Sequence, residues 1–227
     1  MKYLVLIAFF FINTQKSNAQ LSDKKSINTY KYAVRFNPLS NLDPSDQNFT
    51  SGLEWNHKKN NSVGIDLSFV YNSTFYFSAP ICSPLGFIVR PFYRNYYSSG
   101  KFGRSFFQPE LFFKQVNYRI EDWMRDPTNS FSQLTKFTIR KEVSAVNFKI
   151  GRQGELFRNP NLLIESYIGL GIRMSQQYLH NAPENTSYTL SGITFRNRSF
   201  NTYYIAPNIV AGLSIIYTFN TKTKKDK

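Results

Sequence analysis

Hydrophobic and polar positions alternate with a period of two along most of the chain, in segments separated by clusters of Gly, Pro, Asn, Asp and Ser. Period two is the signature of a strand whose two faces meet different surroundings. At 63–72, Val63, Ile65, Leu67, Phe69 and Tyr71 share one face, and Gly64, Asp66, Ser68, Val70 and Asn72 the other. At 162–175, Leu162, Ile164, Ile168, Leu170 and Ile172 oppose Glu165, Tyr167, Gly169, Gly171 and Arg173. At 209–219, Ile209, Leu213, Ile215, Tyr217 and Phe219 oppose Val210, Gly212, Ser214 and Thr218. Weaker alternation covers 30–36, 49–55, 87–93, 107–113 and 146–150, which brings the count to eight segments. The expected fold is all-β: eight antiparallel strands in an up-and-down meander, closed into a barrel.

A soluble barrel and a transmembrane barrel are inside-out versions of this pattern, and side-chain size separates them. An eight-stranded barrel has an interior just wide enough for side chains to fill it. The apolar faces carry Phe, Tyr, Leu and Ile in bulk, whereas the opposite faces carry Gly52, Gly64, Gly151, Gly169, Gly171, Gly212, Ala33 and Ala145 among charged residues. The bulky faces therefore point outward, where lipid covers them. Charge parity agrees. Arg35, Glu54, Asp66, Arg90, Arg94, Glu110, Lys114, Lys149, Glu165 and Arg173 all take the small-residue face, as an interior polar network requires; Arg119 alone does not, at a point where its strand is leaving the membrane. Connection lengths give a third indication: turns at 58–61, 98–103 and 153–160 are short, and those at 38–47, 73–85, 121–136 and 176–202 are longer, the alternation of an outer-membrane barrel. Pro91 and Pro109 stand against it, since each deletes a ladder hydrogen bond and a closed barrel has no edge to hide them. A bulge or a rim position is expected at both.

Lys2, an apolar run from Tyr3 to Ile12 and small residues at Ser17 and Ala19 form the pattern of a secretory signal peptide, with cleavage expected between Ala19 and Gln20. The expected organisation is a signal peptide at 1–19, a periplasmic segment at 20–27, the barrel at 28–220 and a basic periplasmic tail at 221–227. The net charge of +14 raises nucleic acid as a partner, but cleavage removes Lys2 and Lys16 and leaves +12. Twelve bases, Arg104 among them, fall on the periplasmic ends and turns against three acids. The external connections and adjoining strand ends, including Asp46 and Lys141, sum to −1. A basic rim beside anionic head groups of the inner leaflet fits this distribution; a solvated charge run fits it equally. There is no nucleic-acid module, glycine-rich phosphate loop or metal-ligand spacing, so no nucleic-acid partner and no cofactor are expected.

The end of the signal at Ala19-Gln20, the run Glu165 to Arg173 (Glu-x-Tyr-x-Gly-x-Gly-x-Arg), the run Arg90 to Tyr97 (Arg-Pro-Phe-Tyr-Arg-x-Tyr-Tyr) and an aromatic-ended last strand resemble small outer-membrane β-barrel proteins of the Bacteroidota type. The resemblance implies location in the outer membrane, contact with its lipids, and recognition of the last strand by the barrel-assembly machinery through Tyr217 and Phe219. The chain departs from the commonest pattern by continuing from Asn220 to Lys227.

Candidate chemistry is sparse. Only two histidines exist: His57 sits at a strand end, and His180 in the longest connection near Ser175, Glu184 and Ser187, with no spacing that puts them on one strand face. Cys82, the only cysteine, falls in an external connection. External aromatics such as Phe75, Tyr76, Tyr178 and Tyr188 serve either as recognition anchors or as an interfacial girdle. The expected function is that of a non-enzymatic integral outer-membrane protein, structural in the envelope or binding an unidentified ligand through its loops. A narrow transport barrel and an outer-leaflet lipid-modifying enzyme are the alternatives.

Overall fold

A computed structural model describes residues 30–42, 46–58, 60–73, 82–100, 103–125, 132–157, 159–181 and 202–219. The signal peptide with Ala19 and Gln20, the segment 20–27 and the tail 221–227 lie outside the described residues. Eight strands follow one another: β1 (Tyr32–Asn37), β2 (Gln47–Lys58), β3 (Asn61–Asn72), β4 (Cys82–Gly100), β5 (Gly103–Arg125), β6 (Ser132–Leu156), β7 (Asn159–His180) and β8 (Tyr204–Phe219). Each pairs antiparallel with its neighbours in sequence, and β8 returns to β1, closing the barrel. A short 3-10 helix, Pro38–Leu42, separates β1 from β2.

The pleat sends alternate side chains in and out, and the register carries the outward apolar positions from strand to strand. Val34 pairs with Leu53, Leu53 with Ile65, Leu67 with Val89, Val89 with Phe113, Leu111 with Val146, Phe148 with Leu170, Leu170 with Ile209, and Ile215 with Phe36. An apolar belt thus surrounds the barrel. Leu53, Leu170 and Ile209 in it are 62%, 66% and 75% exposed. Among the described residues 33 large hydrophobic side chains are exposed, against 16 buried hydrophobic ones, so apolar bulk lies outside.

The interior is tighter and more aromatic than small residues alone would make it. Phe92, Tyr96, Phe106 and Tyr118 are buried on the inward face. Glycines on facing strands make room for two of these rings: a Cβ on Gly64 would overlap the Phe92 ring, and one on Gly151 the Phe106 ring.

The prolines are accommodated without the expected bulge or rim position. Register across β4 and β5 is the same at Ile88↔Lys114, Phe92↔Glu110 and Asn95↔Phe107, and the only shift lies between Tyr96 and Ser98. The ladder omits the positions where Pro91 would meet Leu111 and Tyr93 would meet Pro109, while both prolines stay paired on their other side, Pro91 with Ile65 and Pro109 with Phe148. The missing donors are thus confined to one seam, where the neighbouring bonds hold the strands together.

Several strands, β4, β5 and β6 most of all, run well past the segments read from alternation. β5 and β6 pair continuously from Arg104↔Gln153 to Arg125↔Ser132, so much of the expected 121–136 connection is a two-stranded ribbon. Cys82 likewise opens β4, paired with Ile120, instead of lying in a connection. In the upper part of β5 and β6 the polarity reverses. Val116, Tyr118, Ile120, Phe137 and Ile139 point inward into a buried cluster with Val70 and Ile88, while Gln115, Asn117, Arg119, Thr138, Arg140 and Glu142 take the outer face.

Candidate functional site: the polar interior

At the end where the short turns lie, three carboxylates and three guanidiniums are brought together. Arg35 projects inward from β1 and donates from Nη1 to Glu54 Oε2 (3.0 Å) and from Nη2 to Glu165 Oε1 (2.8 Å). Arg94 of β4 reaches Glu165 Oε2 from Nη1 (2.6 Å) and Glu54 Oε2 (3.3 Å). Asp66 Oδ1 lies 3.3 Å from Arg35 Nε. Glu54 Oε1 accepts further bonds from Ser62 Oγ (2.7 Å), Tyr96 OH (2.8 Å) and Tyr30 OH (3.1 Å). Arg94 also donates to Gln108 Oε1, and Arg104 Nη2 to Gln153 Oε1 (2.7 Å). The flat guanidinium faces rest on rings: Arg94 lies 4.0 Å from the Phe106 centroid and Arg104 3.9 Å from that of Tyr96.

The side chains of Glu54, Glu165 and Arg94 are fully buried. Removing charges from water is costly, and only close pairing with added hydrogen bonds offsets it. Here Arg35 and Arg94 bridge the same two glutamates, so each charge has two opposite neighbours. Below the network Tyr30, Ala33, Leu163 and Ile216 form a small buried apolar cluster. Together they fill this end of the barrel.

Higher in the interior, Glu110 pairs with Lys149 and accepts from Asn147 Nδ2 (3.2 Å). Above that, Asp46 pairs with Lys114, approaches Lys141 Nζ (3.7 Å) and accepts from Tyr118 OH (2.6 Å). Asp46 belongs to the connection between β1 and β2. Burial alone would push its carboxyl up, but Lys141 and Lys114, with the hydrogen bonds from Lys114 and Tyr118, hold it below the ordinary carboxylate range.

Of the ten charges expected on the inward face, Arg35, Glu54, Asp66, Arg94 and Glu165 form the lower network, Glu110 and Lys149 a pair above it, and Lys114 joins Asp46. Arg90 and Arg173 line the open space between these layers. Asp46, Lys141 and Arg104 are interior residues that the sequence placed outside. Arg104 lies in β5 two residues before Phe106, on the same inward parity; Lys141 likewise follows Ile139. Asp46 lies two residues before Asn48, on the parity of the buried Asn48, Thr50 and Glu54, but just outside β2 itself, so a reading confined to the alternating segment did not reach it. Tyr30, Tyr96, Gln108 and Gln153 were also missed, since neutral polar residues do not stand out in a charge-parity test.

Among the described residues, those weighed for catalysis are not assembled. His57 is exposed between the rings of Trp55 (6.0 Å) and Tyr93 (6.4 Å). His180 is exposed beside Tyr178, while Ser175 is buried on the opposite strand face. Glu184 and Ser187 lie outside the described residues. Tyr217 and Phe219 end β8 on its outer face with ring centroids 4.9 Å apart.

No protein-family model matches the chain, and neither the curated proteins nor the solved structures compared with it include a match.

Proposed function

We propose that the chain is an integral outer-membrane β-barrel protein, plugged at its periplasmic end and non-enzymatic, which presents its external connections and the β5–β6 ribbon for binding. The inside-out distribution of side chains carries this reading: charged and polar side chains line the interior, paired in its lower part, while an apolar belt faces out. In water such a belt would far exceed the few hundred Å² of contiguous apolar surface that a soluble monomer ordinarily exposes. Lipid is the solvent that removes the penalty. The switch of polarity in upper β5 and β6 supports the same placement, because a strand that leaves the hydrocarbon regains a polar outer face. At the opposite end Phe219, Tyr32, Trp55 and Tyr93 are exposed in a row through the pairs Phe219↔Tyr32, Tyr32↔Trp55, Trp55↔Val63 and Val63↔Tyr93, in the manner of an interfacial aromatic girdle.

With both glutamates bridged by Arg35 and Arg94 above buried Tyr30, Leu163 and Ile216, the lower interior is packed with side chains, which favours a binding or structural role over conduction. Gel mobility of the outer-membrane fraction tests the placement: the unboiled protein should migrate differently from the boiled one. A soluble periplasmic location with no mobility shift would overturn it. Planar-bilayer recordings test the plug, and stable unitary conductance would favour a transport barrel instead.

A further inference from the structure

Between the lower network and the Asp46 layer the barrel holds a cavity of about 560 Å³. Its walls are more basic than their own acids can balance. Lys114 and Lys141 share Asp46, and Lys149 is paired with Glu110. Arg90 and Arg173 also line the cavity, and among the described residues neither has a carboxylate within 4.0 Å; Asp66, opposite Arg90 in the β3–β4 register, attracts it only at longer range and is held by Arg35 at 3.3 Å. Arg90 is held in place by the Phe112 ring, 5.4 Å from its guanidinium carbon, but a ring face cannot satisfy its donors, and its buried Nε has no hydrogen-bond partner. Five cationic side chains thus surround the space against two anionic ones, and the two left over are arginines, whose planar forks match oxyanions.

The cavity also reaches a gap in the wall. β1 ends at Asn37, and its ladder with β8 runs only from Tyr32↔Phe219 to Phe36↔Ile215. From Tyr204 to Ser214 the edge of β8 that faces β1 therefore has no strand partner among the described residues. The 3-10 helix lies at this gap, pinned by Ser40 Oγ, whose single proton is shared between the carbonyls of Asn37 (2.8 Å) and Asn48 (2.7 Å). Leu39 and Ser40 on one side and Val210 on the other line both gap and cavity, and exposed Ile205 and Ile209 flank it outside.

We infer that this cavity is a binding site for a phosphate group, held by Arg90 and Arg173 and screened by the surrounding lysines. A soluble phosphate compound reaches it through the barrel mouth. The headgroup of a phosphorylated amphiphile reaches it through the gap, leaving its apolar part against Ile205 and Ile209. The first route does not depend on membrane placement, whereas the second rests on the outer-membrane reading above.

Two probes separate the sources. Full-length protein in phosphatidylcholine discs is titrated with pyrophosphate by calorimetry, and in parallel with a fluorescent lysophosphatidic acid against its uncharged monoacylglycerol counterpart. At least one phosphate probe should saturate, with monoacylglycerol showing no comparable binding. The double variant Arg90→Gln/Arg173→Gln should weaken that binding by about tenfold or more, the effect of losing one or more charge-assisted hydrogen bonds. Arg152→Gln, on the exposed outer face of β6, should leave it unchanged. Saturation by pyrophosphate assigns a soluble ligand, and saturation by lysophosphatidic acid alone assigns a headgroup. If the double variant does not fold, Arg173→Gln decides alone, since Arg173 is exposed and its loss strands no buried partner. No saturation by either probe, or equal binding by wild type and variant, overturns the site. Heat-dependent gel mobility of the same samples reports the barrel separately, so failure of the site and failure of the membrane reading give different results.

Discussion

Glu165 illustrates how much an interior charge depends on its partners. It meets both Arg35 and Arg94, and its side chain has no contact with water. Glu165→Ala leaves two buried guanidiniums short of a counter-charge, and removing one partner of a buried ion pair costs about 3–5 kcal/mol. Urea unfolding in lipid discs should show a loss of that size, with Glu165→Gln retaining part of the stability through its amide oxygen; an unchanged midpoint would contradict the network. Asp46 sets the pH dependence of the opposite end. Its folded pKa lies below the unfolded value of about 3.9, so its pairing contributes fully above that pH and is lost as pH falls through the lowered folded value. Protection factors of the Asn48 and Thr50 amides, corrected for the intrinsic pH dependence of exchange, should therefore fall below about pH 4 and stay flat between pH 5 and 8, since the side-chain bonds of both residues lie beside Asp46. Asp46→Asn should bring the acid behaviour to neutral pH.

At the scale of elements, alternation located all eight strands but not their lengths. The segments at 107–113 and 146–150 were legible because their apolar faces were continuous. Above them the polarity of the two faces reverses, and a test that follows one apolar face stops at the reversal although the ladder continues to Arg125↔Ser132. Trp123, 60% exposed and paired with Leu134, lies on that upper ribbon. Trp123→Ala should cost the barrel well under the about 3–5 kcal/mol of truncating a buried aromatic, since its side chain is 60% exposed, while any partner that uses the ribbon should lose affinity. A larger change in unfolding would mean that the ribbon is part of the cooperative barrel. β1 behaves in the opposite way: its segment was read correctly, but only the structure shows that the strand is too short to cover the edge of β8.

For the whole molecule, the belt and the plug set opposite rules for the same substitution. Leu170→Arg places a charge in the middle of the outer apolar belt and should cost about 2–4 kcal/mol in lipid, whereas Glu155→Arg, exposed near the β6–β7 turn, should cost almost nothing. Unfolding in discs separates the two, and equal effects would argue against a hydrocarbon-facing belt. The basic rim reads differently in three dimensions. Arg104 leaves it for the interior, and Lys58 and Arg152 remain exposed at that end, while the other bases assigned to it lie outside the described residues.

By itself the sequence determined the strand class, the number of strands and, below the reversal in β5 and β6, which face of each strand holds charge, because a period of two is a local property that any window of a few residues displays. It also separated the bulky faces from the small and charged ones, which fixes the inside-out character of the barrel. Only the tertiary structure decided which charges meet. Arg35 and Glu165 are 130 residues apart, and their contact depends on the closure of β8 onto β1. Likewise Asp46 meets Lys114 and Lys141, and Arg90 and Arg173 are left with no carboxylate within 4.0 Å among the described residues, through ring closure and strand register, which no local pattern encodes.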